Sequence, residues 1–403
     1  MGGQGKNSTA FEEAKKIILD SAARLDGETV ELMESLGRVL TRDVAAPWNL
    51  PRFATSAMDG FAVRAEDCNA GLTLPVIEFV PAGAWPTKTV EKGTAARIMT
   101  GAPVSEGADS VLPFEDATAE GETVRANGAV KPGQNVRRPG EDAQAGEVVL
   151  GAGRLIRAEE INLLATCGKT QVEVVRRPRV AILSTGDELV TLGETPVKAQ
   201  IVNSNAYSLA AAVRALGAEP VMLGIARDTL ESHREKISEG LKCDVLITSA
   251  GVSVGDKDFV RRVLEEMGVR IQFERVRVRP GKAMAFGKLG TKLVFGLPGN
   301  PVSSMLSFTE FAAPSLRKMM GVASPRDQMF EAELCHEVKK KSDLTFFLRV
   351  KLEMSEGRWL ASNSGVQETG RVRTLVEADA VAVLPEGVEH FAIGARVPVH
   401  WLG

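Results

Sequence analysis

Three short stretches of this 403-residue chain combine groups that can hold anions and move protons. In Ser184-Thr185-Gly186-Asp187-Glu188 a glycine lets backbone amides approach an anion, and the two carboxylates beside it suit a metal ion or a proton. The stretch from Thr248 to Asp258 is built of small and hydroxyl-bearing residues, Ser249, Gly251 and Ser253 among them, and ends on Asp256 and Asp258. Such a loop can cradle a phosphate. In Gly296-Leu297-Pro298-Gly299-Asn300-Pro301, Asn300 stands where a helix is capped and Pro301 at its first position, which leaves free amides and a positive helix end. Asp228 places a carboxylate at a fourth expected strand end, and Arg279-Pro280-Gly281-Lys282 is a turn carrying two cations. Upstream lie three more compact turns: Ser56 to Ala62 with Asp59, Met99 to Pro103 with Thr100, and Arg137 to Asp142, which sets two guanidinium groups against two carboxylates. A guanidinium fork suits an oxyanion, whereas Asp59 and Asp142 suit a divalent cation.

Singly, each feature has an ordinary explanation. A Thr-Gly-Asp-Glu turn is more often only a turn, an Asn-Pro step is a common helix start, and a surface arginine or lysine is usually a solvated charge. Their coincidence carries the weight. Three loops and Asp228 fall on one expected edge of one sheet, beyond the carboxyl ends of its strands, where doubly wound sheets bind ligands. That placement points to a shared anion or nucleotide site.

The sheet is read from β-branched runs at Arg179 to Ser184, Val221 to Ala226, Asp244 to Thr248 and Lys292 to Gly296. Amphipathic helices alternate with them, two ending at Gly217 and Gly268. Near the start, Phe11, Ala14, Ile17, Ile18 and Ala22 predict a helix, and Leu32, Leu36, Val39 and Leu40 predict a second between Val30 and Leu40. Helical spacing returns from Ala158 to Ala165, so these flanks are expected to form one domain interrupted in its middle. Between about 50 and 140 short apolar runs, Leu74 to Val80, Ala95 to Met99 and Ser110 to Phe114, are broken by Gly and Pro, as in a β-rich insertion. After Pro325 the alternation takes period two, in Phe346, Leu348, Val350 and Leu352 and in Val397, Val399 and Trp401, which predicts a small antiparallel barrel or sandwich.

Composition narrows the chemistry. Lys and Arg number 49 against 52 Asp and Glu, a net charge of −3, which disfavours nucleic acid or an anionic membrane as partner. No apolar run approaches the eighteen or so residues of a membrane span. Cys68, Cys167, Cys243 and Cys335 lie far apart, and the first sixteen residues hold no apolar signal core, so a cytoplasmic, reducing location is expected. His233, His336, His390 and His400 are isolated, which leaves catalysis to carboxylates, amino or guanidinium groups and backbone.

The motifs SAMDGFA (56–62), MTGAP (99–103), VRRPGED (136–142), STGDEL (184–189), SAGVSVGDKDF (249–259), RPGKAMAFG (279–287) and LPGNPVS (297–303) together resemble the molybdopterin molybdenumtransferase family, the MoeA proteins and the catalytic end domain of gephyrin. The resemblance spans nearly the whole chain, with the motifs in that family's order. It implies a multidomain α/β plus β fold. A helical linker domain would take residues 1–46 and 140–176, a β-rich insertion 47–139, a three-layer α/β molybdopterin-binding domain 177–325 and a C-terminal β-barrel 326–403. It also implies an elongated homodimer, the insertion of one subunit lying against the sheet of the other. The implied reaction places molybdate on the dithiolene of adenylylated molybdopterin and releases AMP with magnesium.

By motif, the resemblance assigns catalytic roles to Asp59, Thr100, Glu188, Asp228, Asp258 and Lys282. Molybdopterin or anion binding falls to Arg137, Thr185, Gly186, Ser249, Gly251, Ser253, Pro298, Gly299, Asn300 and Pro301, and metal binding to Asp142, Glu188 and Asp228. Physically, a tetrahedral dianion and a pyrophosphate call for Arg137, Lys282 and the amides after Asn300, while magnesium would neutralise the pyrophosphate. The chain departs from the family at Gln367-Glu368-Thr369, where many members read Gln-Gly-Ser; Thr369 keeps a hydroxyl, Glu368 adds a carboxylate, and Arg371 and Arg373 can offset it. Expected partners are the pathway's adenylyltransferase and molybdoenzyme-maturation proteins. The competing readings are a molybdopterin-binding scaffold without turnover and an adenylyltransferase of the same pathway, neither nucleic acid nor membrane being involved.

Overall fold

A computed structural model describes residues 8–250, 259–322 and 329–402. The chain divides into two compact units, one of Met1–Thr29, Gly37–Val39 and Glu173–Gly403, the other of Val30–Leu36 and Leu40–Val172.

The first helix, α1 (Phe11–Ser21), forms as its spacing predicts and buries Phe11, Ala14 and Ile18. It does not join the helix near residue 160 in one domain. Phe11 instead packs edge-on against Phe311 and Phe347, within the core of the first unit. The helix expected over Val30–Leu40 is absent: a strand, Gly27–Glu31, runs into a single 3-10 turn, Leu32–Ser35. Met33 and Leu36 are exposed and Gly37 takes a φ of 75°, so the chain turns there, and of the apolar positions only Val39 and Leu40, beyond the turn, are buried.

The second unit is centred on a six-stranded sheet. Its strands are β1 (Gly60–Val63), β2 (Leu74–Val80), β3 (Ala95–Ile98), β4 (Ser110–Pro113), β5 (Ala117–Glu120) and β6 (Thr123–Ala126), in spatial order β4-β1-β3-β2-β6-β5. Alternation sends Phe61 and Val63 into one apolar cluster and Ala62 into another, so both faces are covered. Gly60 is required by the strand pairing, because a Cβ there would stand 2.1 Å from the Leu112 carbonyl oxygen. A helix, α2 (Ala158–Thr166), also belongs to this unit. Its Glu160 is 3% exposed and is held by the guanidinium groups of Arg154 and Arg157 and by the Arg157 amide.

The first unit contains a three-layer α/β body. In chain order come β7 (Arg179–Thr185), α3 (Ser204–Ala215), β8 (Glu219–Ala226), α4 (Leu230–Gly240), β9 (Val245–Ser249), α5 (Phe259–Glu266), β10 (Arg270–Phe273), β11 (Val278–Arg279), β12 (Ala285–Leu289) and β13 (Lys292–Leu297). The sheet order is β8-β7-β9-β13-β12-β10; the first four strands are parallel and β12 runs against β13. Register aligns Ile182, Ile247 and Phe295 across three strands. Val180 and Ile182 face α1 and α3, while Ala181 and Leu183 face α4 and α5, the double burial that parallel strands need. After β13, helix α6 (Pro301–Ser307) continues through a π-helical turn, Phe308–Ala312, into α7 (Ala313–Met319).

The C-terminal region closes a five-stranded barrel from β14 (Phe330–Leu334), β15 (Thr345–Ser355), β16 (Arg358–Asn363), β17 (Ala380–Leu384) and β18 (Arg396–Trp401), around the ring β15-β16-β14-β18-β17. Phe346, Leu348 and Val350 fill its interior as period two predicts. The outward residues of the same stretch, Phe347 and Arg349, are also fully buried, because Phe347 packs into the α/β core and β11 pairs along Thr345–Phe346. Outward therefore does not mean exposed here. No described helix is long and apolar enough to cross a membrane.

Candidate functional site

The carboxyl edge of the parallel sheet gathers the α/β candidates. At the end of β7, Thr185 and Gly186 are buried, and the Gly186 amide donates to the Ala226 carbonyl of β8. Asp187 bridges the same two strand ends, accepting from the Asp228 amide at 3.2 Å while its own carbonyl accepts from Arg227. Gly186, at φ 135°, is a cradle: a Cβ there would stand 2.3 Å from Glu188 Oε2, so the Glu188 carboxylate folds over its backbone. Glu188 and Asp228 are hard oxygen donors at adjoining strand ends. This suits magnesium, which commonly takes one or two carboxylates together with substrate phosphates and water. Among the described residues no three acidic, Cys or His side chains converge as a ready-made metal cage. Asp142 belongs to the other compact unit.

Two asparagines at the start of α3 tie this edge together. Asn203 accepts a hydrogen bond from Ser184 at 2.8 Å, and Asn205 donates to Ser249 Oγ at 2.9 Å and to the Gly299 carbonyl at 2.7 Å. Asn300 sits at the N-cap of α6 with Pro301 at its first position, as expected, but makes no capping bond with its side chain. Gly281 packs its backbone against Ser307, where an added Cβ would lie 2.7 Å from the hydroxyl oxygen, and this sets the turn bearing Arg279 and exposed Lys282 beside α6. Arg279 lies over the Phe346 ring. Gly251, Ser253 and Asp258, with Asp256, lie outside the described residues.

The departing loop, Gln367-Glu368-Thr369, reaches the same place. The Thr369 carbonyl accepts from the Val302 amide, so the loop touches the start of α6. Beneath it is Arg349, 0% exposed, whose Nη2 makes only long bonds of 3.4 Å to the Val366 and Glu368 carbonyls. Its Nε and Nη1 are buried without a partner among the described residues, and burial pulls its pKa below the ordinary arginine value. Arg371 pairs with Glu368 and Arg373 with Glu377, so Glu368 is offset as expected by Arg371 but not by Arg373. Sequence reading missed Arg349, Asn203 and Asn205. The asparagines flanking Ser204 were the available signal; Arg349 in an alternating strand gave none.

In the second unit, Asp59 Oδ1 accepts from both the amide and the hydroxyl of Thr100, each at 2.7 Å. The amide bond and then the hydroxyl bond hold the Asp59 carboxyl below its usual range, so it is an anion at neutral pH. Arg137 is exposed on a two-residue strand whose partner, Thr55–Ser56, leads into the Asp59 turn. The expected packing of two guanidinium groups against Glu141 and Asp142 does not occur. The Glu141 carboxylate accepts from the Arg138 amide instead, capping the Pro139-Gly140 turn, while the arginine heads stay in water. Among the described residues no hydrogen bond joins Asp142 to Asp59 or Thr100.

Comparison with known proteins agrees along the chain. Residues 9–168 match the family model described as the MoeA N-terminal region (domain I and II), residues 181–318 the probable molybdopterin binding domain, and residues 331–402 the MoeA C-terminal region (domain IV). A molybdopterin molybdenumtransferase of Nostoc sp. is 37% identical over 405 residues, covering 97% of this chain and 93% of its own. One from Staphylococcus epidermidis is 33% identical over 396 residues, covering 97% and 94%. Among solved structures, a molybdopterin biosynthesis MoeA protein of Pyrococcus horikoshii matches with a TM-score of 0.84 at 32% identity, covering 98% of this chain and 99% of that one.

Proposed function

The chain belongs to the MoeA family of molybdopterin molybdenumtransferases, with a role in molybdenum cofactor biosynthesis, and from that premise we propose that it transfers molybdate to adenylylated molybdopterin with release of AMP. The observation that carries this reading is the buried Arg349 guanidinium, whose Nε and Nη1 have no partner among the described residues, beneath the Gln367–Thr369 loop that touches the start of α6. A buried cation with unused donors is costly without an anion to meet it.

In this reading Arg349, Lys282 and the Asn300 amide bind oxyanion, and Arg137 keeps the anion-binding role that its motif assigns. Thr185, Gly186, Ser249, Pro298, Gly299 and Pro301 shape the walls, with Gly251, Ser253 and Asp258 assigned by motif. Glu188 and Asp228 would hold magnesium, with Asp142 a further candidate ligand. Magnesium, when bound, would neutralise pyrophosphate charge and make AMP a better leaving group. Thr100 keeps Asp59 ionised, so that a fixed negative charge is present throughout the neutral range. Molybdate is a substrate, arriving as a tetrahedral dianion and departing on the dithiolene sulfurs.

We read the protein as a cytoplasmic homodimer that receives substrate from the pathway's adenylyltransferase and delivers to molybdoenzyme-maturation proteins. The test is magnesium-dependent AMP release by a Glu188→Ala variant. A loss of about 100-fold with unchanged melting temperature is expected for removal of a group acting on the reacting phosphates; an unchanged rate removes Glu188 from the site. Tight binding of adenylate by the wild type without release would favour the scaffold reading, and ATP consumption with unadenylated molybdopterin the adenylyltransferase.

A further inference from the structure

Asn205 stands in the first turn of α3, and its side-chain amide reaches two loops at once, through Nδ2 to Ser249 Oγ at 2.9 Å and to the Gly299 carbonyl at 2.7 Å. The orientation is unambiguous, since a carbonyl can only accept: flipping the amide would set Oδ1 against the Gly299 oxygen. Oδ1 itself is buried with no partner among the described residues, so the side chain keeps an unsatisfied acceptor there while making these two bonds.

The geometry has a directional result. The Gly299 C=O and the Asn300 N–H belong to one planar trans peptide and point in opposite senses. Holding the carbonyl toward Asn205 turns the Asn300 N–H away from α3, and that N–H has no partner among the described residues. The two loops are also close, the Ala250 amide donating to the Leu297 carbonyl at 3.0 Å. A Cβ on Gly299 would meet Ala250 Cβ at 3.2 Å, so the peptide has little room to settle elsewhere.

We propose that Asn205 is a positioning residue of the transfer reaction: it fixes the Gly299–Asn300 peptide and Ser249 so that the Asn300 amide faces the oxyanion of the substrate. This rests on the functional reading above. Asn205 touches no reacting atom; it acts through the amide it orients.

The test uses the full-length chain with Asn205→Asp, which keeps size and shape but cannot donate, and Asn205→Ala. Amide hydrogen exchange of the free protein is read at Val302 and Ser304, whose bonds to Thr369 and Asn300 depend on this loop's setting. Both variants should exchange roughly tenfold faster there. In turnover, KM for adenylylated molybdopterin should rise about tenfold, the worth of one hydrogen bond to a charged group, with kcat within about threefold. If Asn205→Asp matches the wild type in exchange and in KM, the proposal is overturned; a fall in kcat at constant KM also overturns it. Should the wild type show no turnover, the functional reading fails while exchange still decides whether Asn205 sets the loop.

Discussion

Glu160 and Arg349 are buried charges, one in each compact unit, and the two are treated in opposite ways. Glu160, in the unit built on the inserted sheet, is 3% exposed and saturated: Arg154 donates through Nε, Arg157 through Nε and Nη2, and the Arg157 amide closes a capping box. Arg349, in the α/β and barrel unit, is 0% exposed; among the described residues its Nε and Nη1 are unpartnered and its Nη2 makes two long bonds. A buried charge that satisfies itself is part of the scaffold, because its desolvation is offset by its own partners. In the function proposed above, the unsatisfied buried charge is met by the anionic substrate. The contrast extends to the candidate site: Asp59 Oδ1 is engaged twice by Thr100, whereas at the α/β edge the Asn300 amide has no partner among the described residues.

Arg349→Met tests the contrast most severely. Removing two donors to an anionic substrate should weaken the apparent affinity for molybdate about 100-fold. The melting temperature should hold or rise, since an apolar chain of similar length replaces an unpaired buried charge. Unfolding of this variant would make Arg349 structural and erase the distinction from Glu160.

Glu160→Gln should do the reverse, costing about 2 kcal/mol of stability through the loss of charge-assisted bonds, with molybdate affinity unchanged. Hydrogen bonding from Arg157, then from Arg154 and the backbone, brings the Glu160 pKa down to about 2 from 4.5. The folded value is the lower one, so its stabilisation is complete above about 4.5 and is lost as pH falls towards 2. Acid titration of melting temperature should show this window in the wild type and lack it in Glu160→Gln. A window present in both would assign it to other carboxylates.

Thr100→Val gives the smallest effect. It removes one of the two bonds that hold Asp59 ionised and leaves the amide, so activity at neutral pH should change less than about threefold. The acid limb of the pH–rate profile should move to higher pH, because the Asp59 carboxyl, less stabilised as an anion, protonates sooner as pH falls. A limb that stays in place would mean that Asp59 ionisation does not govern the reaction.

The parallel strands, the glycine-ended helices and the loops after Ser184 and Gly296 at one sheet edge were legible because local patterning and burial agree there, while most of the Thr248–Asp258 loop lies outside the described residues. The helix expected at Val30–Leu40 was misread because spacing reports a face without saying whether anything covers it. Likewise, the placement of α1 depended on Phe311 and Phe347, some three hundred residues away. Arg349 was hidden for a related reason: period two marks it as outward, and only β11, the α/β core and the Gln367–Thr369 loop make that side interior. Motifs display the atoms that meet a ligand more readily than the residues, such as Asn205, that hold those motifs in register.

The central claim is tested most directly by measuring AMP released from adenylylated molybdopterin, with magnesium present, as molybdate is titrated into the wild-type protein. The account predicts saturable, molybdate-dependent AMP release, with molybdenum appearing on the dithiolene in equal amount. AMP release independent of molybdate, or bound adenylate that is never cleaved, would contradict it.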